Sequence, residues 1–141
     1  MSVSKLMTRP VVSVEPDDVL RTVKEIFDNT HFHQLLVTDN GRLVGIISDR
    51  DLFKSVSHRL GTMAETTHDL TTLDRRVHQV MSRKVHALNP EDSVHDAVAL
   101  IVEHNVSFVP VVDSNNRPVG ILTWRDIMRE LMRISRQRSR N

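Results

Sequence analysis

The heptapeptides GIISDRD at residues 45–51 and GILTWRD at residues 120–126 follow one pattern. Each has a Gly, two aliphatic residues, a hydroxyl residue, one variable position, then Arg and Asp. Two further pairs of segments align with each other: LMTRPVVSVEPDD at 6–18 with VMSRKVHALNPED at 80–92, and LLVTD at 35–39 with VPVVD at 109–113. An internal duplication is the simplest explanation of this self-similarity.

The composition predicts a globular protein with a core of ordinary size. Of its 141 residues, 39% are hydrophobic and 26% are charged, close to the average of globular domains. The absence of Cys excludes disulfide scaffolds, zinc–thiolate sites, iron–sulfur clusters and thiol nucleophiles. No apolar run reaches the roughly 18 residues of a membrane-spanning helix, and the first residues lack the apolar stretch of a signal peptide. We therefore expect a cytoplasmic protein that does not bind membranes.

Positive charge is concentrated at the C-terminal end. The net charge of the chain is +1, but residues 125–141 hold six Arg against Asp126 and Glu130. Residues 135–141 are predicted to form a basic tail. Such a tail can contact nucleic acid, although short Arg-rich ends are more often solvated and frayed, and we prefer the second interpretation.

The sequence of each repeat predicts the element order β-α-β-β-α, and therefore a mixed α/β (α+β) fold. A short β-branched segment, VVSV or VHAL, ends near a Pro and precedes a helix for which Asp18 or Asp92 is the expected N-cap. One face of each helix is apolar and should face a core. It carries Leu20, Val23, Ile26 and Phe27 in the first repeat and Val94, Ala97, Val98 and Ile101 in the second.

Two apolar runs in each repeat predict a β-hairpin. Turn-forming residues join the runs, and a second helix should begin just after Ser48 or Thr123. Each repeat is too small to bury both faces of its hairpin alone, so the two repeats should pack against each other. The predicted segments are repeat 1 at 1–56, a polar connector at 57–76, repeat 2 at 77–134 with a short lead-in helix near its start, and the basic tail at 135–141.

The end of each motif predicts a binding junction between a strand and a helix. Ser48 or Thr123 lies where exposed backbone N–H groups and the helix dipole favour an anion such as phosphate. Asp51 or Asp126, three residues later, offers two acceptor oxygens suited to paired ribose hydroxyls. Ser/Thr-x-x-Asp also fits a capping box, in which the Asp only satisfies the start of its own helix. The residues alone leave both interpretations open. The neighbouring guanidinium groups can add contacts to phosphate oxygens; they belong to Arg50 and Arg125.

This duplicated unit closely resembles a tandem pair of CBS domains, which are named after cystathionine β-synthase; the pair is often called a Bateman module. The resemblance covers nearly the whole chain outside the connector and the last few residues. It implies two repeats related by pseudo-two-fold symmetry, with ligand clefts between them that bind adenosine nucleotides. It also implies that the hydroxyl residue and the Asp of each motif contact phosphate and ribose.

The resemblance supplies further candidate residues outside the hydroxyl–Asp pairs. It implies that Ile46 and Ile121 pack against the adenine, that Val12 and Val85 line the base pocket, and that His33 reaches the phosphates. Repeat 2 has Ser107 at the position of His33, so the two sites are not equivalent. Phosphate-rich ligands are therefore expected to prefer the site that contains His33.

The predicted function is regulatory and non-catalytic, with AMP, ADP or ATP as the ligand, an unidentified protein partner, and no required cofactor. The chain has no Gly-rich phosphate loop, HExxH or G-x-S-x-G motif, so no catalytic residue is assigned. His31 and His33 lack a suitably spaced third ligand, and no metal site is expected. Three alternatives stay open: an S-adenosyl ligand, nucleic-acid binding through the Arg-rich tail, or nucleotide hydrolysis by His33 with Asp51.

The helices after the two motifs carry more apolar side chains than one core contact needs. Those side chains are Leu52, Phe53 and Val56 in the first repeat and Trp124, Ile127, Met128, Leu131, Met132 and Ile134 in the second. Surplus apolar surface commonly marks an interface. Since the resemblance also implies dimers formed through these helices, we predict a homodimer.

Overall fold

The protein, seen here as a computed structural model that describes residues 1–57 and 73–140, has the predicted mixed α+β fold. Each repeat contributes two helices and a hairpin. In chain order the elements are β1 Ser13–Val14, α1 Leu20–Asn29, β2 Gln34–Asp39, β3 Arg42–Ser48, α2 Asp49–Ser57, α3 Val94–His104, β4 Phe108–Val112, β5 Pro118–Thr123 and α4 Trp124–Arg140. Short 3-10 turns at Val3–Lys5 and Val77–Gln79 lead into the two repeats. Most of the predicted connector at 57–76 lies outside the described residues.

Both predicted hairpins are confirmed. Strands β2 and β3 pair antiparallel, β1 adds to β2 in parallel, and β4 pairs antiparallel with β5. Asn40 and Gly41 form the two-residue turn of the first hairpin with φ values of 51° and 80°, which is why the Asn-Gly dipeptide suits this position. The opening segment of repeat 2 forms no strand, and instead Leu88 makes a single parallel bridge to Val111.

Two compact units make up the chain, and their boundaries differ from those of the repeats. One unit is Val12–Val85, and the other combines Met1–Val11 with His86–Asn141. The segment that precedes each hairpin repeat in sequence therefore packs with the other repeat: Thr8 bridges to Ile121, and Ser82 bridges to Ile46.

Each unit has its own apolar core. The core of the Val12–Val85 unit is built from β1, α1, the hairpin, α2 and the start of repeat 2; its buried members are Val14, Leu20, Val23, Leu35, Val37, Ile47, Leu52, Val77 and Met81. The core of the other unit is smaller and holds Val3, Leu88, Ala97, Val109, Val111 and Leu122. Val77 and Val3 are fully buried, so the two 3-10 turns belong to the cores.

Three further expectations are corrected by the structure. Asp18 and Asp92 do not cap the helices, because their carboxylates accept hydrogen bonds from the backbone N–H groups of Glu15 and Asn89 in the preceding turns. The N-cap residues are instead Val19 for α1 and Ser93 for α3. Val98, expected in the core, is 37% exposed. Residues 135–140, expected as a frayed tail, form the last turns of α4.

Candidate functional site

The junction between β3 and α2 is closed by two reciprocal hydrogen bonds. The backbone N–H of Ser48 donates to Oδ2 of Asp51 at 2.9 Å, and the backbone N–H of Asp51 donates to Oγ of Ser48 at 3.0 Å. This is the capping box that the Ser/Thr-x-x-Asp spacing allowed. Asp51 therefore stabilises the start of its own helix, whatever else it binds.

The junction between β5 and α4 repeats this geometry and adds two further contacts. The backbone N–H of Thr123 donates to Asp126 Oδ2 at 3.0 Å, and the Asp126 N–H donates to Thr123 Oγ1 at 3.1 Å. The hydroxyl of Thr8 also donates to Asp126, at 3.1 and 3.2 Å from the two carboxylate oxygens, and Arg129 lies 3.5 Å from Oδ1. Asp126 is only 6% exposed, so this carboxylate is both buried and fully engaged.

The two Asp residues thus differ in what they can still accept. Only Oδ2 of Asp51 accepts a hydrogen bond from another described residue, and the side chain is half-buried. A carboxylate oxygen has room for more than one hydrogen bond, and Oδ1 of Asp51 has its full acceptor capacity left among the described residues. A ligand hydroxyl could therefore be added at Asp51, whereas at Asp126 it would compete with Thr8 and Arg129.

The Gly of each motif allows a neighbouring segment to approach its strand. Ser82 exchanges two backbone hydrogen bonds with Ile46, at 2.9 and 2.8 Å, and a Cβ on Gly45 would lie only 2.8 Å from the Ser82 carbonyl oxygen. In the other unit, Thr8 exchanges two such bonds with Ile121, and a Cβ on Gly120 would meet Met7. Gly45 is required because of this close backbone approach, whereas Gly120 makes room mainly for the Met7 side chain.

Thr8 and Ser82 were missed as candidate residues, although the sequence held a signal for both. Each follows a Met, precedes an Arg, and occupies the same place in the aligned stretches LMTRP and VMSRK. In the structure each forms a backbone bridge to the Ile that follows the motif Gly. The signal could not be interpreted from sequence because the partner of each segment lies in the other repeat.

His33 and Ser107 occupy equivalent positions, as the alignment predicted. The carbonyl of each accepts a hydrogen bond from the first residue of the following helix: Asp49 N–H donates to His33 at 2.8 Å, and Trp124 N–H donates to Ser107 at 3.1 Å. The His33 ring is 80% exposed, with Nδ1 at 2.8 Å from Oδ2 of Asp49. A phosphate that contacts His33 would therefore lie beside the Asp49 carboxylate, which already pairs with the His33 ring.

The remaining candidates are distributed over both units. Ile46 and Val12 are half-buried in the Val12–Val85 unit, which also contains Val85. Ile121 is half-buried in the other unit. Arg50 and Arg125 are exposed on the first turns of α2 and α4. Their roles in ligand binding stay predictions.

One strong ion pair lies further along α4. The Arg133 guanidinium donates two hydrogen bonds to the Glu130 carboxylate, with N–O distances of 2.9 and 2.6 Å. These hydrogen bonds lower the pKa of Glu130 and raise the pKa of Arg133. The pair is a charge-assisted fork of the kind that Arg forms with carboxylates and phosphates.

Comparison with known proteins assigns the family. The model of the CBS domain matches residues 3–58 and again 77–133, and the chain belongs to the CBS domain family. Among the helices of the described residues, none has the length and apolar character needed to cross a membrane. The cytoplasmic location stays a prediction.

Three proteins illustrate what this chain is similar to. The uncharacterized protein MJ1232 of Methanocaldococcus jannaschii is 28% identical over 86% of this chain, which spans only 36% of that protein. The crystal structure of CBSX2 in complex with AMP has a TM-score of 0.78 and 26% identity, covering 95% of this chain and 98% of that one. The CBS domain pair of protein MJ0100, in complex with 5′-methylthioadenosine and S-adenosyl-L-methionine, has a TM-score of 0.75 and 25% identity, covering 93% and 95%.

Proposed function

We propose that this protein is a non-catalytic regulatory module that binds an adenosine nucleotide and communicates its ligand state to another protein. The observation that carries the proposal is the Ser48–Asp51 junction. There a capped helix start presents a carboxylate oxygen that no described residue occupies. Such an oxygen is suited to a ribose hydroxyl, and the adjacent helix start is suited to a phosphate.

The ligand class is supported by the relatives. CBSX2 is in complex with AMP, and MJ0100 is in complex with 5′-methylthioadenosine and S-adenosyl-L-methionine. All three ligands contain adenosine, so a junction that recognises ribose does not separate them. AMP, ADP and ATP are proposed first because the backbone N–H groups at the start of α2 favour an anionic group. A phosphate there would take the place of Asp49 at the His33 ring. The S-adenosyl class is the alternative.

The two junctions are proposed to bind unequally. Asp126 already accepts hydrogen bonds from Thr8 and lies against Arg129, so a ribose there would have to displace existing contacts. Asp51 has no such competitor among the described residues. The Ser48–Asp51 junction is therefore the one that fills first as the ligand concentration rises.

We also propose a homodimer formed through α2 and α4. Leu52 and Ile127 of the predicted apolar surface pack into the cores, but a set of large apolar side chains is exposed on these two helices: Phe53, Trp124, Met128, Leu131 and Met132. Each is about half exposed or more, with Phe53 the most exposed at 61%. Met and aromatic side chains are enriched at the centres of protein interfaces. Association through these side chains, with a second copy or with another protein, would let a non-catalytic module communicate its ligand state.

The deciding experiment is isothermal titration calorimetry of the full chain with AMP, comparing wild type with Asp51→Asn. An Asn side chain can keep the acceptor for the Ser48 N–H while replacing the other oxygen with a donor. The helix cap is then retained and the acceptor for ribose is lost. The AMP affinity should fall about tenfold or more, as expected for loss of a hydrogen bond to a charged group, with little change in the melting temperature.

Asp126→Asn is the matched comparison in the second junction. It should weaken AMP binding less than Asp51→Asn, because the Asp126 carboxylate is engaged within the protein. Titrations with S-adenosyl-L-methionine and 5′-methylthioadenosine identify the preferred class. If Asp51→Asn leaves the affinity of every adenosine compound unchanged, Asp51 is only a helix cap and the assigned site is wrong.

A further inference from the structure

A basic groove lies between the 3-10 turn at Val3–Lys5 and the C-terminal two-thirds of α4. It is an open groove of about 770 Å³ and belongs to the unit formed by Met1–Val11 and His86–Asn141. Its charged lining includes Lys5, Arg129, Glu130, Arg133, Arg136 and Arg140. The volume is within the range of small-molecule sites, roughly 300–1,000 Å³, but such sites are ordinarily apolar. Half of the residues that line this groove are cationic, and two are carboxylates, so its lining carries a net positive charge.

Helix geometry explains why the arginines converge. At about 100° per residue, Arg129, Arg133, Arg136 and Arg140 fall within about 60° of one another around the axis. Arg129 and Arg140 lie 11 positions apart, or about 16 Å along the helix axis. Arg138 points to roughly the opposite side, and it does not line the groove.

The charges in the groove are only partly compensated. Arg129 approaches the buried Asp126, and Arg133 is held by Glu130. Within residues 1–57 and 73–140, Lys5, Arg136 and Arg140 form no ion pair with another side chain. Three cations of like sign around one cavity repel each other, and a multivalent anion would relieve this repulsion.

We propose that the basic groove binds a small oligophosphate, that is, an anion with two or more linked phosphoryl groups. Guanidinium groups pair with phosphate oxygens in a bidentate manner, and several on one stripe match several phosphoryl groups. A single-stranded nucleic acid would need a basic track that continues beyond one cavity, whereas the carboxylates of Asp126 and Glu130 close this one towards the start of α4.

The groove is separate from the Ser48–Asp51 junction, which lies in the other unit. The groove shares Asp126 with the Thr123–Asp126 junction, but Arg136 and Arg140 lie about 3.5 to 5 turns of helix beyond Thr123. The inference therefore does not depend on adenosine binding at the Ser48–Asp51 junction. Either site can fail in experiment while the other survives.

The test is calorimetric titration of the full chain with inorganic tripolyphosphate at about 100 mM salt, where weak surface charge effects are largely screened. One tripolyphosphate should bind per chain, more tightly than orthophosphate. Arg136→Gln and Arg140→Gln should each raise the Kd at least about fivefold, since each removes a charge-assisted contact. Arg138→Gln is the matched control, with the same charge change on the same helix, and should raise the Kd less than about twofold.

Three other outcomes would overturn the proposal. If Arg138→Gln weakens binding as much as Arg136→Gln, the effect is one of net charge and the groove is not a site. If a single-stranded RNA of about twelve nucleotides binds more tightly than tripolyphosphate, and tighter still when lengthened, the surface is a nucleic-acid interface. If Arg136→Gln weakens AMP binding by the same factor as tripolyphosphate binding, the groove is part of the nucleotide site.

Discussion

Substituting each motif Gly by Ala should destabilise the two units to different degrees. Ordinary contacts of a Cβ atom begin at about 3.4 Å. In Gly45→Ala the new Cβ would lie 2.8 Å from the Ser82 carbonyl oxygen, an overlap of about 0.6 Å with a backbone atom. That oxygen is fixed, because it accepts the Ile46 N–H at 2.9 Å. In Gly120→Ala the closest atoms, at 2.7 and 2.9 Å, belong to the flexible Met7 side chain, and the Thr8 carbonyl oxygen is 3.1 Å away.

The expected free energies follow from these contacts. Overpacking a fixed site costs about 1–3 kcal/mol, and replacing Gly by Ala returns about 0.4–1 kcal/mol through the unfolded chain. The middle of these two ranges predicts that Gly45→Ala lowers the free energy of unfolding by about 1–2 kcal/mol. Gly120→Ala should lower it by less than about 1 kcal/mol, because Met7 can change rotamer.

Urea unfolding followed by circular dichroism measures both variants. The fluorescence of Trp124, the single Trp, reports on the unit that contains Gly120. The m-value should stay constant if only stability changes. A cost for Gly120→Ala that equals or exceeds that of Gly45→Ala would contradict the argument, as would a neutral Gly45→Ala.

Three further predictions concern Thr8, Glu130 and the exposed apolar side chains of α4. Thr8→Val should lower the free energy of unfolding by about 1–2 kcal/mol, because the buried carboxylate of Asp126 loses a hydrogen-bond donor. Ser82→Ala, at the equivalent position, should leave it nearly unchanged in the same urea assay. Equal losses for the two variants would refute the asymmetry between the junctions. Because the pKa of Glu130 is lowered in the folded state, its contribution to stability should be present above its ordinary pKa of 4.5 and lost as the pH falls below it. The difference in unfolding free energy between wild type and Glu130→Gln should therefore shrink in acid, and a difference independent of pH would contradict this. Light scattering at micromolar concentration should give about twice the chain mass of 16.2 kDa, and Leu131→Glu should halve it without loss of helix; a monomeric wild type would exclude the dimer.

Local patterns predicted the elements well because their causes are local. Asn40 and Gly41 specify a tight turn by their own backbone preferences, and the alternation around them specifies the paired strands. The hydroxyl–Asp spacing predicted the two junctions. It was also compatible with a capping box, which the structure confirms at both. These features need only a few neighbouring residues.

What the sequence did not predict depends on contacts distant along the chain. Asp18 seemed a helix cap by position, but its carboxylate accepts a hydrogen bond from the Glu15 N–H in the preceding turn. The actual N-cap, Val19, is only one residue further along the chain. Thr8 donates to Asp126, which lies 118 positions away. Lys5 and Arg136 share a groove only because the first turn of the chain packs with the last helix. No periodicity or spacing encodes such pairings.

The exchange of lead-in segments has a consequence for how such a chain can be divided. Each compact unit begins about ten residues after the start of the corresponding repeat in the sequence. A cut in the connector would therefore separate each hairpin from the segment that covers its Gly. A solitary repeat that kept this pairing would need a second chain to supply the missing segment, which is reciprocal domain swapping. Joining two repeats in tandem converts that bimolecular exchange into an intramolecular one, with the effective concentration that a covalent link provides. Duplication then stabilises the fold without adding a new type of contact.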